Sequence, residues 1–359
     1  MRGAAAAAAL GLSLLPYALY RLESTPLYPG RGIDLPATME GQNVIVTGSS
    51  QGLGFYAARE FYALGANVVV TGRTMKKTRR AAEEIASGPG RGTAIPMNVD
   101  IASFADVRRF VKEVEKQFSV VHVLILNAGM GYSADWPKNV TSPDGLDLCM
   151  ATNHFGHFLL TRLLWTRLAK NVGIVGVGGG GMWRAGDYGY LAHPDRIRYE
   201  RPKNRKERPK AYFRAKLAQR CFAQSLQERL DDSARVNFYL PGISATAILG
   251  PSFAGCHTHW LWKWCGPPDV AGRLLAHSAF VPSADVLYAY WWPRFIFGRF
   301  AAKERLRDRM GLPFLFGLPS FVQKALNWGT LHSTVGPECD AGQREKLWNL
   351  SATVAGIPP

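Results

Sequence analysis

Apolar and polar positions fall in alternating blocks along the chain. Val44-Ile45-Val46 is a short β-branched run that predicts a strand, ending in a turn that holds Gly48, Gly52 and Gly54. Residues 55–64 then read as a helix. A second strand is predicted at 67–71, a helix at 78–86, a third strand at 93–97 and a fourth at 121–126. Between the last two strands, Val107, Val111, Val114 and Phe118 stand at helical spacing over 104–118. A fifth strand falls within 173–182, a helical run carries Tyr212 and Lys216, and a sixth strand lies at 236–240. Strands alternating with helices predict an α/β fold with a parallel sheet covered on both faces.

The first turn reads Thr47-Gly48-Ser49-Ser50-Gln51-Gly52-Leu53-Gly54. A strand, a glycine-rich turn and a helix in that order let backbone approach a dinucleotide pyrophosphate and aim a helix N-terminus at it. The sheet is then Rossmann-type and doubly wound. An ordinary strand-to-helix turn looks the same by itself, so the weight rests on the residues downstream. An acidic residue after the second strand would bond the adenine ribose of NAD and repel a 2′-phosphate. This chain has Gly72, Arg73 and Thr74 there, then Lys76 and Lys77. A guanidinium at that place suits NADP(H). The alternative is a solvated basic turn.

Composition narrows the partners. The 359 residues are 47% hydrophobic and 19% charged, which fits one large globular domain with appendages. The net charge of +16 fits either nucleic acid or an anionic membrane surface and cofactor. No nucleic-acid-binding signature is present, so the second is expected. Five irregularly spaced cysteines predict no disulfide framework and a reducing compartment. Residues 3–19 carry no charge, with Arg2 before and Arg21 after, close to the minimum for a membrane helix. A signal anchor is expected over 1–24, with a cleaved signal peptide and an organellar presequence as rivals. A Pro/Gly linker at 25–40, a nucleotide-binding domain at 41–250 and an aromatic-rich cap at 251–359 complete the chain.

Taken together, the motifs resemble the short-chain dehydrogenase/reductase family, from about residue 42 to 247. The cofactor turn fits T-G-x-x-x-G-x-G, Val99 to Ser103 fits the strand-three aspartate motif, and Asn127-Ala128-Gly129 fits N-A-G. Asn153-His154-Phe155-Gly156-His157-Phe158 and Lys346-Leu347-Trp348-Asn349-Leu350-Ser351 resemble the membrane-bound retinol dehydrogenase-like branch. The resemblance implies cofactor contacts from Thr47, Gly48, Ser50, Gln51, Gly52, Leu53, Gly54, Asp100, Asn127, Ala128 and Gly129. It implies further contacts from Pro241, Gly242 and Thr246, which fit P-G-x-x-x-T.

Tyr212 and Lys216 are four apart on a helix and share a face. A cation beside a phenol is expected to lower its pKa into a range usable for acid–base work. The resemblance implies Tyr212 as proton donor, Lys216 on the nicotinamide ribose and Asn153 on a relay water. One member is missing. The family's strand five ends in a serine that bonds the substrate carbonyl, and here Gly179 stands in its place, with no Ser or Thr between Thr166 and Ser225. The expected activity is NADP(H)-dependent hydride transfer to or from a lipophilic carbonyl or alcohol of retinoid, sterol or fatty aldehyde class. The alternative is a catalytically impaired nucleotide-binding scaffold or subunit of a membrane complex. On the first reading, Gly179→Ser is expected to restore a donor opposite Tyr212.

The remaining features stay open. The insertion at 183–210 is basic in its second half, which fits a solvated loop or an anionic-lipid contact. Trp260, Trp262, Trp264, Trp291 and Trp292 fit a membrane interface, a substrate lid or plain core. Cys256, His257, His259 and Cys265 match no zinc spacing, so no metal is expected. The expected setting is the endoplasmic reticulum membrane with a cytosol-facing domain, or a mitochondrial membrane as runner-up, with a homo-oligomer or membrane-complex role open. Deleting residues 1–24 is expected to move the protein into the soluble fraction after carbonate extraction. Release of the full chain by carbonate would contradict a spanning anchor.

Overall fold

The computed structural model describes residues 36–131, 141–179, 208–241, 268–282, 284–288 and 339–359. Seven strands form one sheet: β1 Asn43–Val46, β2 Asn67–Gly72, β3 Thr93–Asn98, β4 Val121–Leu126, β5 Leu168–Val177, β6 Arg235–Leu240 and β7 Ala284–Tyr288. Their order is β3-β2-β1-β4-β5-β6-β7, and every pairing is parallel. Val44, Ile45, Val46, Val68, Val69 and Val70 are fully buried. Residues dry on both faces explain why these strands read as continuous apolar runs.

Helices cover both faces: α1 Gly52–Ala63, α2 Met75–Ala86, α3 Phe104–Gln117, α4 Leu148–Met150, α5 Gly156–Leu163, α6 Arg208–Arg229, α7 Pro268–His277 and α8 Ala341–Ala355. One core lies under α1, α2 and α7, and the other under α3 to α6 and α8. In α3, Phe104, Val107, Phe110, Val111 and Val114 form the buried stripe, and the Ser103 side chain caps the helix by accepting from Asp106 N. The chain runs outward through β2 and β3, then returns to place β4 on the other side of β1. That reversal opens a crevice at the carboxyl ends of β1 and β4, where doubly wound sheets bind ligands.

Six strands match the expected ones. β7 does not appear in the sequence reading. It is five residues long, sits at the sheet edge and adjoins an aromatic run that masks its pattern. The N-terminal anchor, most of the linker and basic insertion, the Cys256–Cys265 cluster and the tryptophan-rich stretch lie outside the described residues. Among the described residues, no helix is long and apolar enough to cross a membrane.

The cysteine expectation is corrected. Cys221 in α6 and Cys339, just before α8, are joined by a disulfide with their Cα atoms 5.7 Å apart, a normal separation for such a bond. The pair is 118 positions apart, so spacing could not reveal it. The bond fastens α8 to α6, as do the Arg229–Glu345 and Arg344–Glu228 ion pairs, and other contacts hold the same helix. Trp348 packs edge-on against Phe158 at 5.2 Å, and Arg108 donates to Ala355 O at 2.8 Å. Ser351 donates to Leu347 O, so its oxygen accepts from His154 Nε2 at 2.8 Å. Burial holds His154 neutral, its pKa lowered to about 3.

Candidate active site

The site begins at Thr47, the residue after β1. Its hydroxyl donates to Ile125 O at 3.1 Å and accepts from Asn127 N and Ala128 N, both at 2.9 Å. Asn127 replies with its amide, donating to Thr47 O at 2.8 Å and Gly48 O at 3.1 Å. The glycine turn and the N-A-G turn are therefore one hydrogen-bonded unit. Gly48 has φ +66°, and a methyl group on it would stand 2.8 Å from Ala128 Cα. On Gly54 a methyl would stand 2.7 Å from Gly48 O. Both positions need glycine, one for its backbone angle and both for close approach.

β2 fixes the other side of the turn. Gly48 N donates to Thr71 Oγ1 at 2.9 Å, and Ser49 N and Ser50 N donate to Thr71 O at 2.9 and 3.0 Å. Gln51 caps α1 through its extended backbone, without a side-chain cap, and no acidic residue lies in the first turn. The free amides of that turn suit a phosphate. Arg73 is exposed and has no ion-pair or hydrogen-bond partner among the described residues. Ser50 lies against the residue before it: a methyl on Gly72 would meet Ser50 Oγ at 2.8 Å. Asp100, at the end of β3, accepts from Ala102 N at 3.0 Å and donates its own N–H to Asp106 Oδ2 at 2.6 Å. These features fit an extended dinucleotide lying across the crevice.

The reactive end lies beyond β4 and β5. Between α4 and α5 the chain opens into a π-helical turn, Ala151–Phe155, which carries Asn153. Such turns recur at functional sites. The Asn153 amide nitrogen donates to Met130 O and Cys149 O, each at 2.9 Å. That fixes the amide orientation and leaves Oδ1 buried with no partner among the described residues. A methyl on Gly129 would stand 2.8 Å from this oxygen and 3.3 Å from Lys216 Nζ. Asn153 and Lys216 thus converge on the N-A-G turn.

Lys216 is 1% exposed and donates to Val177 O at 2.7 Å and Gln219 Oε1 at 3.1 Å. Burial lowers its pKa to about 8. The expected lowering of the Tyr212 phenol is not found. Burial first, and then the Cys149 charge, push that pKa up. Two of the ammonium's N–H groups go to Val177 O and Gln219 Oε1, and the desolvation of the phenol prevails.

Gly179 sits where the sequence places it, against Tyr212. A methyl there would stand 2.5 Å from Tyr212 Oη and 2.9 Å from its Cε1. The phenol occupies the space that a side chain at 179 would fill. Pro241 ends β6, while Gly242 and Thr246 lie outside the described residues. Sequence reasoning missed Gln219 and His157. His157 Nε2 lies 3.0 Å from Thr47 Oγ1, and burial keeps it neutral with a pKa near about 3.

Topology and site define a doubly wound nucleotide-binding protein with a tyrosine–lysine pair at the sheet's carboxyl edge. The short chain dehydrogenase family model matches residues 42–178. Human retinol dehydrogenase 13 is 32% identical over 215 residues, 59% of this chain and 62% of that relative, so the match spans less than two thirds of its length. A polyprenol dehydrogenase of Danio rerio is 31% identical over 342 residues, 90% of this chain and 89% of the relative. A solved but uncharacterized protein from Mycobacterium Paratuberculosis aligns with a TM-score of 0.59 at 25% identity, covering 90% of this chain and 96% of that one. The chain belongs to the short-chain dehydrogenase/reductase family, in its retinol dehydrogenase-like branch.

The occupied space beside Gly179 alters the expectation for Gly179→Ser. Any side chain there must first displace the phenol, and a displacement of about 1 Å can cost ~10²-fold in rate. Gly179→Ala is expected to lose at least ~10-fold in kcat/KM on any aldehyde the wild type reduces, with Gly179→Ser between the two. Steady-state kinetics on the three proteins decides. A serine variant faster than wild type would show that a donor, not space, was lacking.

Proposed function

We propose that this protein is an NADP(H)-dependent oxidoreductase acting on a lipophilic carbonyl or alcohol. The observation that carries the reading is the convergence of Tyr212, Lys216 and Asn153 around Gly129 and Gly179. Bound in the crevice, the nicotinamide would supply or accept the hydride. Tyr212 donates the proton to the developing alkoxide, since its hydroxyl has no described protein partner. Lys216 keeps one N–H beyond those given to Val177 and Gln219, available for the nicotinamide ribose. The orphaned Asn153 Oδ1 accepts from a water that returns the proton.

Phosphate preference follows from β2. No carboxylate follows the strand, and Arg73 is exposed there with no partner among the described residues, as a 2′-phosphate requires. The relatives named for retinol and for polyprenol support an apolar alcohol or aldehyde as substrate. The scaffold alternative rests on Gly179 alone, and the phenol in that space weakens it. Membrane attachment through residues 1–24 remains the reading of the N-terminal sequence, with the endoplasmic reticulum ahead of a mitochondrial membrane.

NADPH and NADH titrations of wild type and Arg73→Ala, followed by turnover on a panel of lipophilic aldehydes, test the assignment. NADPH is expected to bind more tightly in wild type, and the variant to lose that preference while NADH binding holds. Equal affinities in wild type would remove the case for NADP(H). Absence of turnover with bound cofactor would favour the scaffold.

A further inference from the structure

A buried polar chain behind the reactive end has no part in the chemistry proposed for Tyr212, Lys216 and Asn153. Gln219 is 1% exposed and lies one helical turn beyond Lys216, on the same face of α6. Its Oε1 accepts from Lys216 Nζ at 3.1 Å, and its Nε2 donates to Leu126 O at 3.1 Å. The amide orientation is fixed by chemistry: an ammonium has only protons to give, and a carbonyl has none. The second Nε2 proton faces His157 Nδ1 at 3.5 Å. His157 Nε2 in turn lies 3.0 Å from Thr47 Oγ1. The chain runs from the lysine to the last residue of β4 and on to the threonine that grips the glycine turn.

We propose that Gln219 is the positioning residue for Lys216. Its amide holds the ammonium with one end and β4 with the other, so the lysine stands at a fixed depth beside Asn153. The inference rests on the oxidoreductase reading, since the lysine is being positioned for the nicotinamide ribose. A lysine this deep needs acceptors to stay charged. Val177 O and Gln219 Oε1 are the two it has among the described residues. The titratable groups around it are Cys149 from α4, His157 from α5 and Tyr212 from α6 itself. His157 is neutral, and burial holds the Cys149 thiol protonated. Among the described residues no carboxylate contributes, which leaves the amide oxygen as the side-chain acceptor.

The test compares wild type with Gln219→Met, which keeps length and loses the acceptor, and Gln219→Glu, which adds a charge to it. The pKa of Lys216 is read by NMR of ¹⁵Nζ-labelled lysine, with Lys216→Met assigning the signal. The expected values are about one unit below wild type for methionine and at least about one above for glutamate. NADPH affinity and urea midpoints are measured on the same samples. The methionine variant should bind NADPH about 10-fold more weakly, from one lost charged hydrogen bond. If it does not fold, the upward shift in Gln219→Glu carries the test. A Lys216 pKa and NADPH affinity unchanged in Gln219→Met, or a Lys216 pKa unchanged in Gln219→Glu, would overturn the proposal. These readouts need no turnover. Shifted values with no activity in any protein would support the positioning role and sink the oxidoreductase reading; active wild type with unshifted values would do the reverse.

Discussion

The Thr47 hydroxyl is the contact on which the site depends. It ties the end of β1 to the end of β4, giving one proton to Ile125 O and taking two from Asn127 and Ala128. With that bond in place, the glycine turn and the N-A-G turn face each other at a set distance, and Gly48 and Gly54 make the approach sterically possible. A valine at 47 would keep the shape but orphan two amides, at a cost of about 1–3 kcal/mol for each buried group. The crevice at the topological reversal is therefore a hydrogen-bonded construction, and not merely a gap between strands.

Each reactive side chain is placed from a different direction against that frame. Lys216 and Tyr212 come from α6, Asn153 from a π turn and Gly179 from the end of β5. The polar partners are main-chain carbonyls, one buried amide and the Cys149 sulfur, so orientation is decided by donor and acceptor chemistry. The glycine at 179 changes meaning in this setting. Read along the sequence it is a lost hydroxyl. In three dimensions it is room for the phenol, which advances into the place a serine would hold. The C-terminal helix supports the arrangement from behind through His154–Ser351 and the Cys221–Cys339 bond.

Much of this was legible in the sequence because its signals are local. Val44 to Val46 and Val68 to Val70 announce dry parallel strands, and the glycine turn, the N-A-G turn and the Tyr212–Lys216 spacing each lie within a few residues. The features that were not legible depend on partners far apart. Gln219 reads as an ordinary helical residue until Leu126, 93 positions away, proves to be its acceptor. Cys221 and Cys339 are further apart still. The phenol pKa was hidden for a related reason: spacing shows that a lysine is near, but not that burial outweighs it. β7 was hidden by the aromatic residues beside it.

The central claim is that these residues direct hydride transfer at a carbonyl carbon. Reduction of an aldehyde turned over by the enzyme should be run with NADPH carrying deuterium at C4, in the R and the S position separately. A cofactor held in one orientation predicts that the alcohol carries one deuterium at its carbinol carbon from one labelled form and none from the other. Deuterium from neither form, or equally from both, would contradict the account.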